Sequence, residues 1–344
     1  MIKNQQLWFT APYSVEFREQ EMSEPAPDEI LVRTLCSGIS AGTEMLVYRG
    51  QLPRDQALDS SMEALKNQST AYPLQYGYAN VGRVEAVGHN VDKGMIGSHV
   101  FALQPHATHY IAKARAVVPL PEAMAPEAAV FLANMETAVN LVLDAKPALG
   151  DKVVILGQGM VGLLVSAILS RFPLSSCYAL DLFPLRRDAA SRLGIEKSID
   201  PDNENDMAAM TSALRDAPGH GADLVLELTG APEALDLALD LCAYSGRIVV
   251  GSWYGSKPVT LDLGGRFHRE RIEIISSQVS SISPEISGRW DRQRRFATAL
   301  QMIESIKPEQ LITHRMAFSA AQETYQLLDT SPETVLQAVL TYHP

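Results

Sequence analysis

The hexapeptide Gly157-Gln158-Gly159-Met160-Val161-Gly162 constrains this chain more than any other feature. It follows the apolar run Val153-Val154-Ile155-Leu156 and opens a helix-like stretch from Met160 to Ser170. A strand that turns on glycine straight into a helix is the setting in which G-x-G-x-x-G holds a dinucleotide. The first glycine permits the turn, the second lets the backbone approach a pyrophosphate, and the third allows close helix packing. The amides at the start of the helix then face the anion. Asp181 ends the next strand-like run, about 20 residues further on, where a carboxylate accepts from ribose hydroxyls and repels a 2′-phosphate. NAD is therefore expected, with NADP kept possible by Arg186 and Arg187 close by.

The text after Gly150 alternates. Cys177 to Leu180, Leu224 to Leu226 and Ile248 to Val250 read as buried strands, and Leu185 to Leu193 and Pro232 to Cys242 as helices. Strands alternating with helices give a parallel sheet covered on both faces, an α/β doubly wound fold. From Glu29 to about Leu120 the runs are short, apolar and broken by Gly77, Gly82, Gly88, Gly94 and Gly97, which predicts a small β barrel or sandwich. Between the two regions, Pro126 to Asp144 reads as a linking helix. A helical insert is expected over Asp55 to Asn67.

With 344 residues the chain is too long for one ordinary core, and two domains are expected. The net charge of −11 argues against nucleic-acid binding, which needs a basic face. The exception is the run Arg289 to Arg295, expected as a solvated helix start, with an anionic substrate as the alternative. No stretch reaches the roughly 20 apolar residues of a membrane span, and the N-terminus lacks the apolar core of a signal peptide, so a cytoplasmic location is expected. Cys36, Cys177 and Cys242 are too few and too scattered for a disulfide framework or a four-cysteine zinc lobe.

Ser37 to Glu44, Gly77 to Gly82, the glycine turn and Gly246 to Gly251 together resemble the medium-chain dehydrogenase/reductase family, the zinc alcohol dehydrogenase-like proteins, over nearly the whole chain. The resemblance implies a GroES-like catalytic domain (1–125 and 280–344), a Rossmann domain (126–279), a small-molecule substrate and a homodimer. It places Thr137, Gly251 and Ser252 beside the nicotinamide and puts Gln337 where some members use Arg for the pyrophosphate. Locally, Ser37 to Gly50 with Tyr72-Pro73-Leu74 and Gly77-Tyr78 is similar to the bacteriochlorophyllide dehydrogenase branch.

The chain departs from the zinc-binding pattern at the ligands. Ala41 stands at the ligand cysteine position, with Ser40 an apparent extra residue, Gly77-Tyr78-Ala79 replaces Gly-His-Glu, and the third ligand falls among Ala133 to Met135. None of these is a zinc ligand, so no zinc is expected; His106 and His109 lack a third partner nearby. A carbonyl accepting hydride still needs its developing charge stabilised or protonated. Thr43, at the family position of the relaying hydroxyl, Tyr78, in place of a metal-binding histidine, and His106 are the candidate catalytic residues, with Glu44 and Glu136 as supporting groups. For each, a bland alternative stands beside the catalytic one: a turn hydroxyl, a space-filling aromatic, a hydrogen-bonded loop histidine, exposed carboxylates. The expected function is zinc-independent NAD(H)-dependent oxidoreduction of an alcohol/carbonyl pair. A quinone- or enoyl-reductase-like NADPH enzyme and a non-catalytic nucleotide-binding protein are the alternatives.

Overall fold

A computed structural model of the chain describes residues 2–53, 58, 64–65, 69–215 and 221–342. Most of the helical insert expected over Asp55 to Asn67 lies outside them. The chain divides into two compact units, Met1–Ala133 with Lys307–Pro344, and Asn134–Ile306. Both crossings fall later in the chain than the 125/126 and 279/280 expected from the sequence.

In the second unit six parallel strands run Lys197–Ile199, Ser176–Leu180, Lys152–Leu156, Ala222–Glu227, Cys242–Val250 and Glu273–Ser276 across the sheet. Numbered by sequence within the unit this is 3-2-1-4-5-6, the Rossmann order, whose reversal lies between the first and fourth strands. The central strands are continuous apolar runs: Val153, Val154, Ile155, Val225 and Leu226 are fully buried, as a sheet covered on both faces demands. The sequence reading missed the short outer strands Lys197–Ile199 and Glu273–Ser276, each too brief to stand out as a run. The expected linking helix is two, Pro126–Ala129 and Leu132–Ala145.

The first unit holds a hairpin, Ile2–Ala11 with Ser14–Met22, and a mainly antiparallel seven-stranded sheet. Its long strand Glu29–Gly38 pairs with Asn80–Val87, His109–Lys113 and the C-terminal Gln337–Thr341. The end of the chain thus returns to the first unit, as the family resemblance implies. Ile30, Val32, Val84, Val100, Ala102 and Tyr110 fill one core. A second core, with Leu7, Phe9, Met45, Leu74 and Tyr325 among its members, gathers the hairpin and the helices Ala41–Tyr48 and Ala321–Thr330.

The helix Arg292–Ile306 stays with the second unit, and only the chain beyond it goes back. Arg295, Ala299 and Ile303 recur at helical spacing on its buried side. The expectation of a fully solvated arginine run is therefore corrected at Arg295, which is 1 % exposed.

Candidate active site

The glycine turn of the second unit behaves as its three positions require. Gly157 has φ +90°, and a Cβ there would meet the Leu228 and Thr229 backbone at 2.8 to 2.9 Å. At Gly162 a Cβ would lie 2.0 Å from the Gly157 carbonyl oxygen. Gly159, the N-cap of the helix Met160–Leu169, has nothing within 4 Å of its Cβ position. No contact among the described residues explains that glycine, whereas a ligand approaching the backbone would. Because the first amides of a helix lack acceptors within it, Met160, Val161 and Gly162 offer N–H groups there.

Asp181 is buried at the end of its strand, and its carboxylate accepts from the Gln158 amide at 2.7 Å and the Phe183 amide at 2.9 Å. It thereby fixes the turn that it stands beside. Arg186 lies 3.7 Å from the same carboxylate and stacks over Phe183, while Arg187 is committed to Asp200 at 3.0 Å. The Gln158 side chain points inward, accepting from Ser166 at 2.8 Å, so only its backbone serves the turn. These features fit a dinucleotide whose pyrophosphate would rest on Gly159 to Gly162 and whose adenosine ribose would meet Asp181.

Gly251 is enforced by packing, since a Cβ would press on Leu141 and Leu228 at 2.6 Å. The Ser252 hydroxyl accepts from the Gly230 amide at 2.8 Å. Both belong to a cluster that sequence reading missed. Glu227, fully buried at the end of the fourth strand, accepts from the Thr229 amide at 2.7 Å, the Thr229 hydroxyl at 2.5 Å and Tyr254 at 2.7 Å. Burial and the facing carboxylate push the Tyr254 phenol well up, so it stays a donor. A glutamate ending an apolar strand run was the available signal.

Thr137 is half-buried on the helix Leu132–Ala145. Its neighbour Glu136 is buried rather than exposed, and one of its oxygens, Oε1, accepts from Arg295 Nε at 3.0 Å and Nη2 at 2.8 Å. Arg295 also donates to Asn140 at 2.6 Å and to the carbonyls of Ser281 and Val279, so all of the guanidinium is engaged. Burial raises the Glu136 carboxyl, with Arg295 pulling the other way.

In the first unit three hydroxyls meet. Tyr78 Oη lies 2.5 Å from Ser40 Oγ and 3.1 Å from Thr43 Oγ1. Ser40 caps the helix Ala41–Tyr48 without a side-chain capping bond, because its hydroxyl serves Tyr78 instead. Glu44, expected at the surface, is fully buried and accepts from the Ser40 amide at 2.8 Å, His106 Nε2 at 2.9 Å and Tyr325 at 2.5 Å. A carboxylate only accepts, so Nε2 carries the proton and, in a neutral ring, Nδ1 accepts from Ser37 at 2.7 Å. Ser37 is also paired with Tyr342 at 2.8 Å. Burial foremost, then Glu44, raises the Tyr325 phenol well above its ordinary value.

His106 is thus a wholly buried bridge between Ser37 and Glu44, and it explains Gly77, where a Cβ would strike the imidazole at 2.7 Å. The pair braces the chain on both sides of the hydroxyls, through the Ser40 amide and through packing on Gly77. Gln337 is spent internally, donating to the carbonyls of Ile39 at 2.9 Å and Ala338 at 2.7 Å.

The donor set does not fit a catalytic zinc. Hydroxyls bonded to one another occupy the ligand region, His106 and Glu44 beside them are buried against each other, and among the described residues no three His, Cys, Asp or Glu converge on a metal position.

A family model described as zinc-binding dehydrogenase matches residues 161–305. The chain is 24 % identical to D-guloside 3-dehydrogenase of Escherichia coli K12, covering 97 % of this chain and 98 % of that one. It is 25 % identical to L-threonine 3-dehydrogenase of Pyrococcus horikoshii, covering 92 % of each. Among solved structures, an Escherichia coli CFT073 alcohol dehydrogenase (rspB) complexed with NADH superposes with a TM-score of 0.79 at 19 % identity, over 98 % of this chain and 99 % of that one. Fold, glycine turn and relatives converge: over nearly its whole length the chain is similar to NAD(P)-dependent oxidoreductases of the medium-chain dehydrogenase/reductase family, the zinc alcohol dehydrogenase-like proteins.

Proposed function

We propose that this chain is a zinc-independent, NAD(H)-preferring dehydrogenase acting on a secondary alcohol/carbonyl pair in a small polar molecule. The observation that carries the reading is the Tyr78, Ser40 and Thr43 cluster, which puts proton-handling hydroxyls where the resemblance would place zinc ligands. Two of the relatives are dehydrogenases named for position 3 of a guloside and of threonine, which supports a secondary alcohol flanked by polar substituents. Asp181 supports NAD over NADP. When bound, the nicotinamide supplies or accepts the hydride. The second unit's part is to hold the dinucleotide on Gly157 to Gly162 and Asp181, and that of the first is to donate to the substrate oxygen from Thr43 or Tyr78. The same reading makes the protein a cytoplasmic homodimer, which light scattering of the purified protein tests for oligomeric state.

The test is a cofactor-reduction screen with NAD⁺ and NADP⁺ over glycosides, polyols, β-hydroxy amino acids, aromatic alcohols and hydroxyethyl-porphyrins, before and after chelation. Turnover with NAD⁺ that survives chelation is expected. NADPH-driven reduction of quinones or enones would replace this reading with a reductase, and NADH binding without any turnover would leave a nucleotide-binding protein.

A further inference from the structure

We infer that Glu227 and Tyr254 are positioning residues for the nicotinamide half of the cofactor, because their hydrogen bond latches the loop after the fifth strand of the second unit to the loop after the fourth. The inference rests on the dinucleotide reading above and assigns what holds the half of the cofactor that neither the glycine turn nor Asp181 reaches.

The strand order decides where that half goes. Ligands of a doubly wound sheet lie outside the carboxyl ends of its strands, at the point where the order reverses. Here Asp181, after the second strand, would meet the adenosine ribose, and the glycine turn after the first would hold the pyrophosphate. A molecule laid over the second strand and then the first continues over the fourth and fifth. The loop after the fourth strand already abuts the turn. Leu228 donates its amide to the Leu156 carbonyl at 2.8 Å, and a Cβ on Gly157 would strike the backbone of Leu228 and Thr229.

Glu227 ends the fourth strand fully buried and divides its two oxygens between the loops. Oε1 accepts from the amide and the hydroxyl of Thr229, in its own loop, at 2.7 and 2.5 Å. Oε2 accepts from Tyr254, in the loop after Cys242–Val250, at 2.7 Å. Two further ties join the same loops: Gly230 donates its amide to the Ser252 hydroxyl at 2.8 Å, and Lys257 donates to the Gly230 carbonyl at 2.8 Å. Of the three ties between the loops, only that of Tyr254 ends on a buried charge, where a hydrogen bond is strongest. Burying a carboxylate is costly, and the backbone ladder of the sheet needs no side-chain acceptor at position 227. What the carboxylate adds is the joining of the two loops. A loop fastened in this way meets the nicotinamide half already ordered. Once it is released, only the fraction of molecules with the loop in place binds that half well.

ADP carries the adenosine and both phosphates of NADH and lacks the nicotinamide riboside, so it separates this role from general stability. Tyr254→Phe removes the phenol hydroxyl and keeps the ring. By calorimetry it should weaken NADH about 10-fold, the lower end of what a hydrogen bond to a charged group is worth, and leave ADP within about 2-fold. Glu227→Gln keeps an oxygen for Thr229 and offers an N–H to the phenol oxygen, so it should retain most of the NADH affinity. If Tyr254→Phe does not fold, Tyr254→Phe with Glu227→Gln buries no charge and carries the same comparison. A second readout needs no cofactor. Trp253, between Ser252 and Tyr254, is 42 % exposed, and in a Trp8→Phe, Trp290→Phe background acrylamide should quench it more strongly once Tyr254→Phe is added. Unchanged NADH affinity, equal loss for NADH and ADP, or unchanged quenching overturns the latch. Unmodified protein that binds ADP as tightly as NADH overturns it while the dinucleotide site stands, and binding of neither overturns the dinucleotide reading and the latch with it.

Discussion

A Cβ on Gly162 would sit 2.0 Å from the carbonyl oxygen of Gly157, while one on Gly159, between them, would touch nothing within 4 Å. Glycine is thus demanded by the fold at one position and by something outside the fold at the other. Gly162→Ala should lower Tm, by an overpacking cost on the order of 1–3 kcal/mol or more because the clash is with backbone. Gly159→Ala should leave Tm unchanged and weaken NADH binding at least 10-fold. Calorimetry on the two variants checks both halves, and a tight-binding Gly159→Ala would remove the ligand argument.

Asp181 has two tasks, holding the Gln158 amide and meeting the ribose. Asp181→Asn loses the charge and keeps an acceptor for only one of the two amides, Gln158 and Phe183, so it should narrow the preference for NADH over NADPH and cost about 1–3 kcal/mol of stability for the amide left facing a donor. Asp181→Ala should also destabilise, by about 1–3 kcal/mol for an unsatisfied buried amide. Titrations showing that the unmodified protein binds NADPH more tightly would defeat the assignment.

Elemental analysis of purified protein should find far less than one zinc per chain, and chelation should change neither Tm nor activity. One tightly held zinc per chain would contradict the donor-set argument.

Thr43→Val and Tyr78→Phe keep most of each side chain's volume and delete the hydroxyl. Loss of one positioned donor typically costs 10²- to 10³-fold in rate, so kcat should fall by about that much in the variant that loses the donor to the substrate oxygen, with NADH affinity retained. A change of no more than a few-fold in both would make the cluster purely structural.

Arg295→Met takes the close partner from buried Glu136 and leaves it Arg292 at 4.0 Å, at a cost of about 3–5 kcal/mol. With that guanidinium gone, desolvation is opposed only by the more exposed Arg292, and the carboxyl rises further above its ordinary 4.5. A raised carboxyl favours folding most below pH 4.5, and that contribution is lost as pH rises through the folded-state value. Tm measured against pH should therefore show the variant's deficit growing from pH 5 to pH 8. In Arg295→Met with Glu136→Gln the growth should vanish.

The dinucleotide unit was legible because its signals are local: an apolar strand, a glycine turn and a carboxylate at the next strand end all fall within Val153 to Asp181. The first unit was legible mainly as punctuation. Its hairpin at residues 2 to 22 alternates too weakly to read, since Ser14–Met22 is exposed at most of its positions. The buried charges were not legible at all. Glu44 and Arg295 look like surface residues one at a time, and only partners 62 and 159 residues away decide otherwise. The Ser40 hydroxyl was hidden for a different reason: a serine before a helix reads as a cap, and here the cap goes unused while a tyrosine 38 residues on takes the oxygen.

The ion pair between Glu136 and Arg295 spans 159 residues, nearly the whole of Asn134–Ile306. The second unit therefore begins and ends at one buried knot. A segment whose two ends are fastened together has the make-up of an insertion, a cassette that can be cut out or re-joined through a short linker with little loop-closure cost. Expressed alone, residues 134–306 should fold and bind dinucleotide as a self-contained module, and a circular permutant with new ends elsewhere in the unit should keep the knot closed.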